Sequence, residues 1–172
     1  RLSDPNQKSA LFYARADNLN NWLGDVGTRL GSLSQRLSAS VGRVKLNSTL
    51  KTEAAVSVKP GEVPQVDEEI VETPWLEIDN VFYEARGQAW ALSHLLRAIE
   101  VDFADVLAKK NATVSVRQII RELEASQEAL WSPMVLNGSG FGMWANHSLV
   151  MANYISRANA AVIDLRQLLS QG

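Results

Sequence analysis

The chain has 172 residues, 46% of them hydrophobic, a formal net charge of −2 and no cysteine. The length is that of one domain with apolar residues enough for a core. The charge argues against a dedicated nucleic-acid binder, the missing cysteines exclude disulfides and thiolate zinc sites, and no apolar run is long enough to span a bilayer.

Residues 4 to 46 are expected to form one very long helix. Leu19, Leu23, Val26, Leu30, Leu33, Leu37, Val41 and Val44 recur in steps of 3 and 4, the seam of a helix lying along a neighbour. Gly24, Gly27, Gly31, Ser34 and Ser38 form a small-residue line beside it. A glycine inside a helix costs about 1 kcal/mol relative to Ala, which close approach of another backbone would offset. Arg29, Arg36 and Arg43 repeat every 7 residues, with Arg15 in phase. They flank the seam, where charges pair with acids on a facing helix. The sharper reading is an interaction stripe, Arg15, Arg29, Arg36 and Arg43, for an acidic partner or anionic lipid heads.

Residues 47 to 75 change character, with Pro60, Gly61, Pro64 and Pro74 among Glu62, Asp67, Glu68, Glu69 and Glu72. We expect a long, extended acidic connection that could lie along the basic stripe. A second long helix is expected over 75 to 110, from the unbroken seam Ile78, Phe82, Ala85, Ala89, Leu92, Leu96, Ile99, Phe103 and Val106. Leu95 and Leu107 widen that seam, so this helix should be covered on two sides. Asn111 marks a turn, and Ser115 with Gln118 matches a capping box for a third helix reaching Leu130. In that helix Val116, Ile120, Leu123 and Leu130 point inward, and Arg121, Glu122 and Glu124 face water. Trp131-Ser-Pro133 ends it.

The glycine-rich stretch 134 to 142 leads into the last helix, Phe141 to Leu169. Its seam is Met151, Ile155, Ala158, Val162, Leu165 and Leu169. Asn146, Asn153, Arg157 and Asp164 form a polar line against it. Asn and Ser compete with the helix backbone for hydrogen bonds, so an Asn/Ser-rich face calls for a reason. One is hydrogen-bonded glue between helices. The other is a ligand- or anion-binding groove built from Gly138, Ser139, Gly140, Asn146, His147, Asn153 and Arg157, with Arg157 as the anion contact. The loop has no strand before it and no P-loop lysine.

Catalytic signatures are sparse. His94 and His147 are the only histidines, and neither belongs to a Glu-x-x-His metal motif. His147 reads best as a packed, hydrogen-bonded residue. Ser148 or Ser139 with His147 is the one hydrolase pairing at hand. We expect no enzyme, no metal and no cofactor.

Several phrases carry a resemblance. Phe12-Tyr-Ala-Arg-Ala-Asp-Asn18, Thr73-Pro-Trp-Leu76, Phe82-Tyr-Glu-Ala-Arg-Gly87, Trp131-Ser-Pro-Met-Val-Leu-Asn-Gly-Ser-Gly-Phe-Gly142 and Ala145-Asn-His-Ser-Leu-Val-Met-Ala-Asn-Tyr-Ile-Ser-Arg-Ala-Asn-Ala-Ala161 resemble a family of proteobacterial proteins called domain of unknown function 2333. The resemblance implies that this chain is the C-terminal half of a longer protein with an N-terminal membrane anchor. It implies an inner-membrane protein with this domain in the periplasm, and it lends no catalytic residues.

The expected fold is therefore all-α: an elongated antiparallel bundle of about four main helices, with a long acidic, proline-containing connection between helices one and two. It is expected as a single helical-bundle domain over 1–172, a fragment of a longer chain. The expected function is a non-enzymatic helical interaction or scaffold domain of a membrane-tethered bacterial envelope protein. The alternative is a ligand- or anion-sensing module using the Gly138–Gly142 loop and the polar face of the last helix. A protein partner or the chain's own upstream half is the expected partner, with a homo-oligomer as the alternative. No nucleic acid is expected, and membrane contact only through a segment outside this sequence.

Overall fold

The leucine–valine seam of the first helix shows how the bundle closes. In the computed structural model, which describes residues 14–46, 68–132, 134–137 and 145–171, α1 (Ala16–Ser38) buries Leu19, Leu23, Val26, Leu30, Leu33 and Leu37. Four helices follow: α2 (Ile78–Asp102), α3 (Ala104–Lys109), α4 (Thr113–Ala125) and α5 (His147–Ser170). The four longer ones surround one core in chain order, with α5 returning to α1. Neighbours run antiparallel: the Arg166 guanidinium donates to Asn20 near the start of α1, and Ser34 near its end donates to the carbonyl of Ala152. The protein is an all-α bundle.

The core is the one that the seams demand. Met151, Ile155, Ala158, Val162, Leu165 and Leu169 of α5 are buried, as are Ile78, Phe82, Ala85, Ala89, Leu92 and Leu96 of α2. Each fully buried large apolar side chain contributes about 1.5–3 kcal/mol. On α4, Val116, Ile119, Ile120 and Leu123 are buried. Ile119 joins the three inward residues read from the periodicity, and Leu130 lies beyond the helix, packed only partly against the core.

Helix ends depart from the expected bounds, each for a local reason. α1 stops at Ser38, and a 3-10 turn (Ala39–Val41) leads to Gly42, whose φ of 80° suits glycine. Arg43–Leu46 is then a strand, β1, paired antiparallel with β2 (Glu68–Val71) so that Lys45 lies across from Glu69. The acidic connection thus meets the basic segment as a two-stranded ribbon, not along a helix; residues 47–67 lie outside the described residues. Val41, expected in the seam, is exposed.

α2 starts after a 3-10 turn (Trp75–Glu77) and breaks at Phe103, so the expected helix over 75–110 is two helices. With 23, 25 and 24 residues, α1, α2 and α5 are about 35–38 Å long, shorter than unbroken helices over the expected ranges. α3 ends in a Schellman motif. Asn111 takes φ 52°, its N–H reaches the carbonyl of Ala108, and the N–H of Ala112 reaches that of Leu107. Buried Leu107 and Ala112 complete it. α4 therefore begins at Thr113 on an Ala112 N-cap, with no side-chain cap, and Ser115 and Gln118 form no capping box. α4 ends at Ala125, and just beyond it Arg86 of α2 donates to the carbonyls of Gln127 (2.7 Å) and Glu128 (3.0 Å), fixing the chain that leaves the helix.

Candidate functional site

Three of the polar residues nominated on the last helix, Asn146, His147 and Arg157, have structural roles. Asn146 is the N-cap of α5, its Oδ1 accepting the Leu149 N–H at 2.8 Å. The helix starts there and not at Phe141, because a capping side chain takes over the orphan amides. His147 fastens the preceding loop. Its main-chain N–H donates to the Leu136 carbonyl (2.8 Å) and its Nδ1 accepts the Leu136 N–H (3.0 Å). Its ring lies against Phe82, with centroids 6.5 Å apart. The Ser148 hydroxyl is buried and makes no hydrogen bond, to His147 or to any described group. Asn153 is exposed. Arg157 pairs with Glu122 of α4 at 2.6 Å, and not with Asp164. Glu122, expected in water, keeps only 12% of its side chain exposed beneath that guanidinium. Gly138, Ser139 and Gly140 lie outside the described residues.

The four arginines of the basic stripe part company. Arg15 pairs with Asp17 at the start of α1, and its hydrogen bond holds the Asp17 carboxyl below the usual range. Arg36 crosses to Glu84 of α2 through two hydrogen bonds. The guanidinium's hydrogen bonding lowers the Glu84 pKa most; desolvation opposes it, and the guanidinium charge lowers it further. Arg43 lies in β1, out of helical phase, and its side chain is outside the described residues. Arg29 alone stays exposed and unpaired among the described residues.

What remains open is the flank of α1 that Arg29 shares. On the opposite flank α5 comes close: a Cβ on Gly27 would meet Asn159 and Val162 at 3.5 and 3.6 Å, and one on Gly31 would meet Asn159 at 3.6 Å. The small-residue line thus admits a neighbouring helix, as its spacing suggested. Toward α2 the contact is thin. The Arg36–Glu84 pair bridges one end, and beyond it the helices leave a groove. It comprises a cavity of about 550 Å³ between Trp22, Val26, Leu92 and Leu95 and one of about 350 Å³ running on past Leu19, Ile99 and Phe103. Trp22 and Leu95 line both.

Each wall presents a stripe at heptad spacing. On α1 it is Asn18, Trp22, Asp25 and Arg29; on α2 it is Gln88, Ala91, Leu95, Ala98 and Asp102. Leu95 is 54% exposed, although Leu107, the other residue that widened the α2 seam, is fully buried. So α2 packs against α4 and α5 and only thinly against α1, where Leu95 stays open. Sequence reasoning named Leu95 and Arg29 but not their companions, because the stripe on each helix has just one large apolar member. The signal that could have revealed them is the second 3,4 spacing beside each main seam.

Among the described residues no cluster of His, Asp or Glu could hold a metal ion, and no helix is long and apolar enough to cross a membrane. No curated protein and no solved structure matches the chain. The family described as "Uncharacterized protein conserved in bacteria (DUF2333)" matches over residues 1–172, and the chain belongs to that family.

Proposed function

We propose that this bundle is a non-enzymatic interaction or scaffold domain of a bacterial envelope protein, tethered to the inner membrane by a segment outside this sequence, and that it holds its partner in the groove between α1 and α2. The observation that carries the reading is the groove: an apolar trough about 20 Å long, between Gln88 and Asp102 on its α2 wall. Grooves of this kind dock apolar anchors of a partner. The tether and the periplasmic placement rest on the family resemblance, and cell fractionation with protease accessibility tests them.

The alternative of an anion-sensing module finds less support, since Arg157 already serves Glu122. The docking reading is tested in cells carrying the full-length protein with a photo-crosslinking residue at Leu95, or at Ile163 of α5 as an equally exposed control. A discrete adduct from position 95 and none from 163 is expected. No adduct from 95, or the same adducts from both, would overturn it.

A further inference from the structure

Charge along the groove says what kind of partner fits. Four arginines cross between helices to acids: Arg36 to Glu84, Arg97 to Glu124, Arg117 to Glu100 and Arg157 to Glu122. The charges of the groove rim are not answered in this way. Asp25, Arg29 and Asp102 are exposed and form no ion pair or hydrogen bond among the described residues, and all three line the cavities. In order along the trough they read acid (Asp102), acid (Asp25), base (Arg29), the last two one helical turn apart.

Resting on the docking reading above, we infer that the occupant is an amphipathic α-helix of a partner protein. Its apolar residues fill the trough at heptad spacing, and its own charges run base, base, acid against Asp102, Asp25 and Arg29. Three features of the walls select a helix. Both stripes repeat at 3 and 4 residues, so they present knobs and holes in register with another helix. Ala91 and Ala98 on either side of Leu95 leave room for a third backbone to come near. The length of about 20 Å accepts about 14 helical residues. An acyl chain would fill the apolar floor yet leave two carboxylates unanswered beside it. A second copy of this chain would bring the same acid-rich rim against itself.

The test uses two synthetic 18-residue helical peptides with Leu at the seam positions. One bears Lys, Lys and Glu at the rim positions; the other bears Glu, Glu and Lys. Titrated against the whole chain and followed by calorimetry, the first should bind about tenfold more tightly, three exposed pairs adding modest amounts each. Leu95→Glu should abolish binding of both, with its circular dichroism melt showing that the bundle still folds. The rim-inverted variant Asp25→Lys, Arg29→Glu, Asp102→Lys should reverse the preference. Equal affinity for the two peptides, binding unchanged by Leu95→Glu, or no saturable binding below millimolar peptide would overturn the inference. Saturable binding of palmitate in place of the peptides, or a dimer by light scattering that the rim inversion dissolves, would overturn it in favour of the other occupants. The crosslinking experiment separates this failure from that of the docking reading. An adduct from position 95 without peptide preference leaves the docking function standing and removes the charged helix.

Discussion

α1 has two flanks, and they meet their neighbours in opposite ways. Toward α5 it offers Gly24, Gly27 and Gly31, and α5 answers with Arg166, Asn159 and Val162 at contact distance. Toward α2 it offers Trp22, Asp25 and Arg29, and α2 answers with Ala91, Leu95 and Ala98, leaving an open trough. The residues next to one helix seam therefore decide whether the bundle closes or stays available there. Small residues on the wall of a closed seam let two backbones approach. Small residues on the wall of an open one leave space for a third.

The largest effect should come from the shared floor beneath both flanks. Leu23 is fully buried, and Leu23→Ala should cost about 3 kcal/mol in urea unfolding. Leu95→Ala, on the open flank, should cost about 1 kcal/mol or less. Equal losses would mean that the groove is filled in solution, and the comparison would break.

Glycine on the closed flank gives a finer probe. Gly27→Leu should destabilise by about 2 kcal/mol, because the added carbons meet Asn159 and Val162. Gly27→Ala places its Cβ at ordinary contact distance, and better helix propensity should stabilise by up to about 1 kcal/mol. A Gly27→Leu variant as stable as the parent would show that the α1–α5 seam can spread. Urea midpoints at matched m-values decide both.

The smallest effect concerns the bridge between Arg36 and Glu84 at the end of the groove. Its partners are 43% and 41% exposed, so solvent screening limits the pair to about 0.5 kcal/mol. The Glu84 carboxyl titrates below its ordinary range in the fold. Its contribution is therefore full above the unfolded-state value of about 4.3 and is lost as pH falls through the lower folded value. Glu84→Gln should be slightly less stable than the parent at pH 7 and indistinguishable from it near pH 2. A difference that persisted in acid would assign it to packing and not to the charge.

How much of this was legible beforehand depended on what each residue answers to. His147 as a packed, hydrogen-bonded residue was legible from its place at a helix start, although Leu136 as its partner was not. Arg157 was legible as a charged residue on the polar face of the last helix, but its partner Glu122 was not, because it lies 35 residues away in sequence and is brought near only by the fold. The stripe of Arg15, Arg29, Arg36 and Arg43 assumed one helix throughout, and Gly42 breaks it. A reading attentive to period 2 would have found Arg43-Val-Lys-Leu46 as a strand.

The sequence by itself determined the all-α class and the core seams. A repeat of 3 and 4 is a local property, and Leu19 to Leu37, Ile78 to Leu96 and Met151 to Leu169 can be buried only on one face of a helix. Tertiary structure alone decided where the helices stop, which acid each arginine meets and which seam stays open. Those depend on faces brought together from distant parts of the chain. Arg86 holds the chain beyond α4 from 41 residues away, and the groove exists because α1 leans on α5, 118 residues further on at Ser34 and Ala152, more closely than on the helix that follows it.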